Sequence, residues 1–192
     1  MKRILILLLL SLSSITIYAQ VDNDIEEWTL KGFSAFEKEN YQDAINLFGS
    51  VKERYEKNKQ FDDQYCFSLS VIATCYYRLN DYSSAIEYGT KAMDSYKKLY
   101  GDNHPDYAQS LSDLALYYYS LDNCSKAVEF ETKSMIINRD ILGENHPKYA
   151  LNLDFLSLYY KSIGNFSEAI EYGSKAADVH KKIHGEKTSR LC

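Results

Sequence analysis

The stretch Gly101-Asp102-Asn103-His104-Pro105-Asp106-Tyr107-Ala108 returns as Gly143-Glu144-Asn145-His146-Pro147-Lys148-Tyr149-Ala150, an offset of 42 residues. A turn-forming string repeated at a fixed long spacing marks stacked supersecondary units, each too small to bury its apolar face alone. The same offset links Tyr65, Tyr107 and Tyr149, then Leu69, Leu111 and Leu153, then Ala85, Ala127 and Ala169. One step of 41 reaches back to Ala44 and gives four units.

Each unit divides into two helical patterns. Leu111, Leu114, Ala115 and Tyr118 fall at i, i+3, i+4 and i+7, the one-face spacing of a 3.6-residue helix, and Leu69, Ile72, Ala73 and Tyr76 do the same one unit earlier. A turn at Asn80-Asp81, Asp122-Asn123 or Gly164-Asn165 leads into a second pattern, with Ala85, Ala127 or Ala169 where two helices approach closely. Asn and Asp suit the left-handed end of one helix or the cap of the next. In the quoted string, Gly101 and Gly143 suit the left-handed closure of a helix. Pro105 and Pro147 suit the first turn of the next, which places His104 and His146 at or beside its cap.

Composition bounds the rest. The 192 residues carry 22 Lys plus Arg against 27 Asp plus Glu, a net charge of -5, which argues against nucleic-acid binding by bulk charge. Four Cys in this length exclude a disulfide-dense miniprotein, and 45% hydrophobic residues describe a globular chain. The 18 Tyr are the compositional oddity. Residues 1–19 read as a secretory signal: Lys2 and Arg3, an apolar run Ile4–Leu10, and a milder region ending at Ala19. Ile17 stands three residues before that cut, where a small residue is usual, so an uncleaved amino-terminal anchor is the alternative. Signal removal leaves 20 basic and 27 acidic residues, a net charge of -7 that suits a soluble surface. No later stretch has the 18 or so consecutive apolar residues needed to span a bilayer, so no membrane insertion is expected after signal removal. The exported chain is expected in the periplasm or secreted. Cys66, Cys75, Cys124 and Cys192 match neither a Cys-x-x-Cys pair nor a zinc cluster. Cys66 and Cys75, nine residues apart on one helix, are separated by about 13 Å of rise, too far for a bridge.

The repeated positions resemble the tetratricopeptide repeat family, in the long-period variety found in kinesin light chains. The residues that carry the resemblance are Leu69, Ile72, Ala73, Tyr76, Ala85 and Ala92; Leu111, Leu114, Ala115, Tyr118, Ala127 and Ser134; and Leu153, Leu156, Ser157, Tyr160, Ala169 and Ala176. The first unit, with Trp28, Gly32, Ala44, Phe48 and Val51, departs at Lys31 and Ala35. The resemblance implies an all-α, right-handed α-solenoid of antiparallel helix pairs over residues 22–184, with units of about 25–58, 66–99, 108–141 and 150–184. Residues 185–192 then read as a tail. Gly185-Glu186 sits 42 residues after Gly143-Glu144, as a truncated fifth repeat of a longer signalling or sensory protein would.

The resemblance further implies that first helices line a concave groove for another protein or a peptide segment. Counting the family's groove positions along the four units gives Phe33 and Phe36; Phe67, Tyr77 and Arg78; Leu116 and Tyr119; and Leu158 and Lys161, together with polar neighbours such as Gln109, Ser112 and Asp154 and the apolar Leu151. Phe33, Phe36, Phe67, Tyr77 and Tyr119 are then an aromatic, charge-poor stripe flanked by Tyr117 and Tyr159, whose rings supply contact area at small entropic cost. Tyr76, Tyr118 and Tyr160 are instead expected to pack between helices. Arg78 and Lys161 are isolated candidates for an acidic group. Self-association through an uncovered carboxyl-terminal end is a further partner expectation.

Nothing calls for catalysis or a cofactor. Gly-rich phosphate strings are missing from the sequence, and His180 and His184 have Lys181 and Lys182 between them and no third ligand at metal spacing. The acids Glu129, Glu131, Glu168, Glu171 and Asp178 lie on second helices among Lys residues, where a solvated outer face is expected.

Overall fold

The computed structural model describes the backbone of residues 23–189 and the side chains of residues 23–183. The signal expected over residues 1–19, Cys192 and the His184 side chain lie outside the described residues. The described chain is all-α: α1 (residues 23–37), α2 (Tyr41–Asn58), α3 (Asp63–Arg78), α4 (Tyr82–Tyr100), α5 (Pro105–Ser120), α6 (Cys124–Leu142), α7 (Pro147–Ser162) and α8 (Phe166–Ser189). These are the four helix pairs of a tetratricopeptide-like solenoid, as the period requires.

The chain divides into two compact units, the first ending at Gln60. That unit is the pair α1 and α2. Phe48 and Val51 are each 1% exposed, and the Phe33 ring meets Phe48 edge-on at 5.4 Å. Gly32 lies under the same ring, where a Cβ would come within 2.7 Å of it. Arg54 ties the pair together, bonding Asp24 at 3.2 Å and lying over the Trp28 ring.

The second unit, from Phe61, holds α3 to α8, each packed on the next. Leu69, Ile72, Leu111, Leu114, Leu153 and Leu156 are at most 1% exposed, each side chain contributing about 1.5–3 kcal/mol by leaving water. First helices end alike. Asn80, Asp122 and Gly164 take φ of 61°, 59° and 78°, and the following amide of Asp81, Asn123 or Asn165 donates to the carbonyl of Tyr76, Tyr118 or Tyr160 at 2.9 Å. Asp81 and Asn123 then accept from the amides of Ser84 and Lys126 and cap the second helix.

The ends of α4 and α6 differ from the left-handed closure expected of them. Gly101 (φ 86°, ψ -174°) and Gly143 (φ 85°, ψ 164°) combine positive φ with extended ψ, a region open essentially to glycine, so the chain leaves each helix extended. Three residues later His104 and His146 cap α5 and α7 through Nδ1, which accepts from the amides of Asp106 at 3.3 Å and Lys148 at 3.1 Å, with Pro in the first turn. Gly185, the period equivalent of Gly143, instead lies inside α8.

Between the helices of each of the three pairs in the second unit, rings stack at the same 12-residue spacing: Tyr76 on Tyr88, Tyr118 on Phe130 and Tyr160 on Tyr172, with centroids 5.5, 5.4 and 5.4 Å apart. Lys91, Lys133 and Lys175 lie over the outer rings and pair with Glu87, Glu129 and Glu171 one turn earlier.

Candidate functional site

The groove candidates of the second unit come from α3, α5 and α7. Phe67, Leu158 and Leu151 are exposed (37, 42 and 51%), while Tyr77, Leu116 and Tyr119 are half-buried. Tyr117 and Tyr159 do not flank an open stripe: they are 3% and 0% exposed. Their rings are the floor on which the candidates rest, Tyr77 on Tyr117 at 5.3 Å and Tyr119 on Tyr159 at 4.9 Å, one repeat apart. Thr74 Oγ1 with the Tyr117 hydroxyl, and Ser162 Oγ with the Tyr119 hydroxyl, add a polar contact of 3.3 Å at each step. Arg78 and Lys161 are exposed in the last turns of α3 and α7, where a cation complements the free carbonyls of the helix end. Phe33 and Phe36 belong to the first unit, where Phe36 packs on Tyr41 at 5.6 Å.

The sequence reading failed most clearly at Glu131. Its side chain is not on a solvated face but 0% exposed, in α6 and turned toward the following repeat. It accepts from Ser112 Oγ on α5 at 2.9 Å and from Asn152 Nδ2 on α7 at 2.6 Å. Burial pushes its carboxyl up to about 7; the bonds from Asn152 and Ser112 pull the other way, and neighbouring Asp113 adds to the rise. Asp113, which accepts from Gln109 Nε2 at 3.0 Å, is itself pushed up to about 6 by desolvation, against Gln109 and Lys148. A signal for Glu131 was present in the register: its equivalents 42 residues either side are Gly89 and Gly173, positions of close helix approach, where a Cβ would meet Tyr117 at 3.1 Å and Ser157 at 3.0 Å. A carboxylate where both neighbouring repeats have glycine cannot be an ordinary surface acid.

Ser134 and Asn138, on the same helix, also replace apolar or aromatic equivalents, Ala92 and Tyr96. Ser134 Oγ spends its proton on the Ala108 carbonyl at 2.8 Å and so receives the amides of Asn152 (3.1 Å) and Asn138 (3.4 Å). Asn138 Nδ2 also donates to Asn152 Oδ1 at 2.8 Å. Both amides therefore turn their nitrogens inward, and Asn138 Oδ1, on a residue only 4% exposed, has no hydrogen-bond partner. Five polar side chains from three helices thus form one buried network at the junction of the third and fourth repeats, with one acceptor unsatisfied.

A pocket of about 190 Å³ opens beside this network. Four groove positions, Gln109, Ser112, Leu116 and Leu151, line it with Asp113, Asn138, Lys148, Asn152 and Phe155. The lining combines polar side chains, the charged Asp113 and Lys148 among them, with the apolar Leu116, Leu151 and Phe155. Cys66 and Cys75 are buried elsewhere, their thiols pushed up to about 11 by burial, and among the described residues no group of three His, Cys, Asp or Glu could hold a metal ion.

Comparison with known proteins agrees with the fold of repeated helix pairs. The family model described as tetratricopeptide repeat matches residues 25–98 and 72–139, together more than half of the chain. Among solved structures, BtubC (BKLC) from P. vanneervenii is 16% identical with a TM-score of 0.78, over 84% of this chain and 65% of that one. A putative kinesin light chain of Podosopora anserina with nearly identical TPR-like repeats is 19% identical with a TM-score of 0.72, over 82% and 75%. Aspartyl phosphate phosphatase F from Bacillus subtilis is 16% identical with a TM-score of 0.72, over 82% of this chain but 40% of its own. At these identities the likeness is one of fold, and the chain spans less than two thirds of the length of the first and last of these proteins. No curated protein matches the sequence significantly.

Proposed function

The chain belongs to the tetratricopeptide repeat family, and from that premise we propose that it is an exported, non-catalytic scaffold whose first-helix face binds a segment of another protein. The observation that carries the reading is the pocket beside Glu131: four side chains from the family's groove positions on α5 and α7 converge there, the exposed apolar Leu151 among them, and Leu158 on the same helix is exposed as well. Exposed aliphatic and half-buried aromatic side chains around a polar recess fit the contact surface of a peptide groove better than a solvated scaffold face. The apolar run after Lys2 and Arg3 supports export.

A photo-crosslinking amino acid placed at Leu158, in cells making the full chain, tests both parts. It is expected to capture a discrete partner that the same group at Lys133, on a second helix, does not. The recovered protein is expected to begin at Gln20. Identical crosslinks from both positions would remove the groove, and recovery of an intact Met1 terminus inside the cytoplasm would remove export.

A further inference from the structure

The second helices of the second unit differ in what covers them. On α4, Ile86 and Met93 pack in the cluster of Leu114 and Tyr117, which belong to α5 of the next repeat. On α6, Val128 and Met135 pack in the same way with Leu153 and Leu156 of α7. Counting 42 residues on, the same face of α8 carries Ile170 and Ala177. Ile86, Met93 and Val128 are half-buried and Met135 is buried, whereas Ile170 is 70% exposed and Ala177 is exposed as well. Phe166, one turn before Ile170, is 62% exposed, although its equivalents Tyr82 and Cys124 are half-buried.

The difference is specific to this face. Ile163, at the end of α7, is exposed to the same degree as its equivalents Leu79 and Leu121. The backbone of α8 continues as one helix to Ser189, so no described residue folds back over Phe166, Ile170 and Ala177. Side chains that the two earlier repeats bury against the next helix are therefore left open to water here, as a contiguous apolar stripe rather than a scattered residue.

The packing of the earlier repeats limits what fits there. A first helix covers α4 and α6 through a large apolar residue and a tyrosine three positions on, Leu114 with Tyr117 or Leu156 with Tyr159. In α1 the positions of Leu114 and Tyr117 are held by Lys31 and Ser34, both exposed. A second copy docking head to tail through α1 would set a lysine against Ile170, in a contact that repeats without closing. The α8 face fits itself better. Phe166, Ile170, Gly173 and Ala177 follow at intervals of four, three and four, one stripe of a 3.6-residue helix. Packed antiparallel on its own copy about a two-fold axis between positions 173 and 174, Ile170 of each copy meets Ala177 of the other, large against small. Gly173 then lies at the centre, where the two helices are nearest, and Lys181 of each copy reaches the Phe166 ring of the other.

We propose that the α8 face of Phe166, Ile170, Gly173 and Ala177 is an interface between two copies of this chain, packed antiparallel about a two-fold axis at Gly173. It uses a second helix and does not depend on the peptide-binding reading of the first helices. One helix crossing buries less than the roughly 1,200–2,000 Å² of a standard stable interface, so the pair is an equilibrium that depends on concentration.

Sedimentation velocity of the full chain across the micromolar range tests this. The expected result is a monomer that passes to a dimer as concentration rises, and no further. Ile170→Glu and Ala177→Lys are each expected to weaken dimerisation at least tenfold with helical circular dichroism unchanged, since both positions are exposed; Ile136→Glu, on the exposed face of α6, is expected to leave it as it is. An equimolar mixture of the Ile170→Glu and Ala177→Lys variants is expected to recover a dimer, because the antiparallel register sets the new carboxylate against the new ammonium. A wild type that stays monomeric throughout, or dimers that persist in Ile170→Glu, as association through residues 1–19 would, overturns the proposal. Mass that keeps growing with concentration, or a mixture no tighter than its components, overturns the two-fold pairing on which it rests. A monomeric wild type that binds an added peptide of α5, Pro105–Ser120, would give the face to a first helix of another protein and overturn it as well.

Discussion

At the scale of the residue, Glu131 has the clearest energetic signature. Its carboxyl rises from 4.5 to about 7 in the folded chain, so between those values the native state holds a proton that the unfolded state has released. Stability contributed at this site is therefore full below pH 4.5, is lost as pH rises through about 7, and reaches its floor near pH 8. The change is on the order of 3 kcal/mol for a group this buried. Glu131→Gln removes the titration while keeping an oxygen for Asn152. Urea unfolding at pH 4.5, 6 and 8 is expected to show the variant gaining on the wild type as pH rises, with no further gain above about pH 8; a difference independent of pH would mean that Glu131 does not ionise behind a buried network. Asp113 shifts in the same direction and is present in both proteins, so it largely cancels in the comparison. The period revealed that Glu131 replaces glycine, but composition placed it among lysines on a helix that does have a solvated face at Glu129 and Lys133. Which side of that helix position 131 takes depends on how α7 crosses it, and α7 lies in the next repeat.

At the scale of the element, small residues decide how closely helices approach. A glycine in a helix interior ordinarily costs about 1 kcal/mol relative to alanine. Gly49 and Gly32 separate that general rule from packing: a Cβ at Gly49 meets nothing within 4 Å, whereas one at Gly32 would come within 2.7 Å of the buried Phe48 ring. Gly49→Ala is expected to stabilise the chain by about 0.5–1 kcal/mol, and Gly32→Ala to destabilise it by about 1–3 kcal/mol as Phe48 is displaced. Thermal denaturation of the two variants checks this, and stabilisation by both would show that α1 and α2 are not in close contact at Gly32. Turns and caps were legible because their chemistry is local. Asn80 and Asp122 tolerate positive φ, and His104 and His146 sit beside a proline that fixes the first turn. The glycines at 101 and 143 were legible as special, but their extended ψ was not, because the direction in which the chain leaves a helix is set by where the next helix packs.

At the scale of the whole molecule, repeat proteins derive stability from each unit and its neighbours, without one central core. The second unit has its own clusters, around Leu114 and Tyr117, around Ala127 and Tyr159, and around Leu153 and Leu156. A chain beginning at Phe61 is expected to keep helical circular dichroism in proportion to its length and to unfold cooperatively. Loss of both would show that residues before Phe61 are required for the remaining three pairs to fold.

The sequence by itself determined the period, the helix pairs, their caps and the rings that stack between the helices of the last three pairs, because those features depend on spacing within about 42 residues and on local backbone chemistry. Tertiary structure alone decided that Tyr117 and Tyr159 form the floor under Tyr77 and Tyr119, and that Glu131, Asn138 and Asn152 meet around one unsatisfied oxygen. Hydrophobic periodicity says which stripe of a helix is buried; it does not say which polar side chains from three different helices come within hydrogen-bonding distance, since that follows from how successive repeats cross and pack.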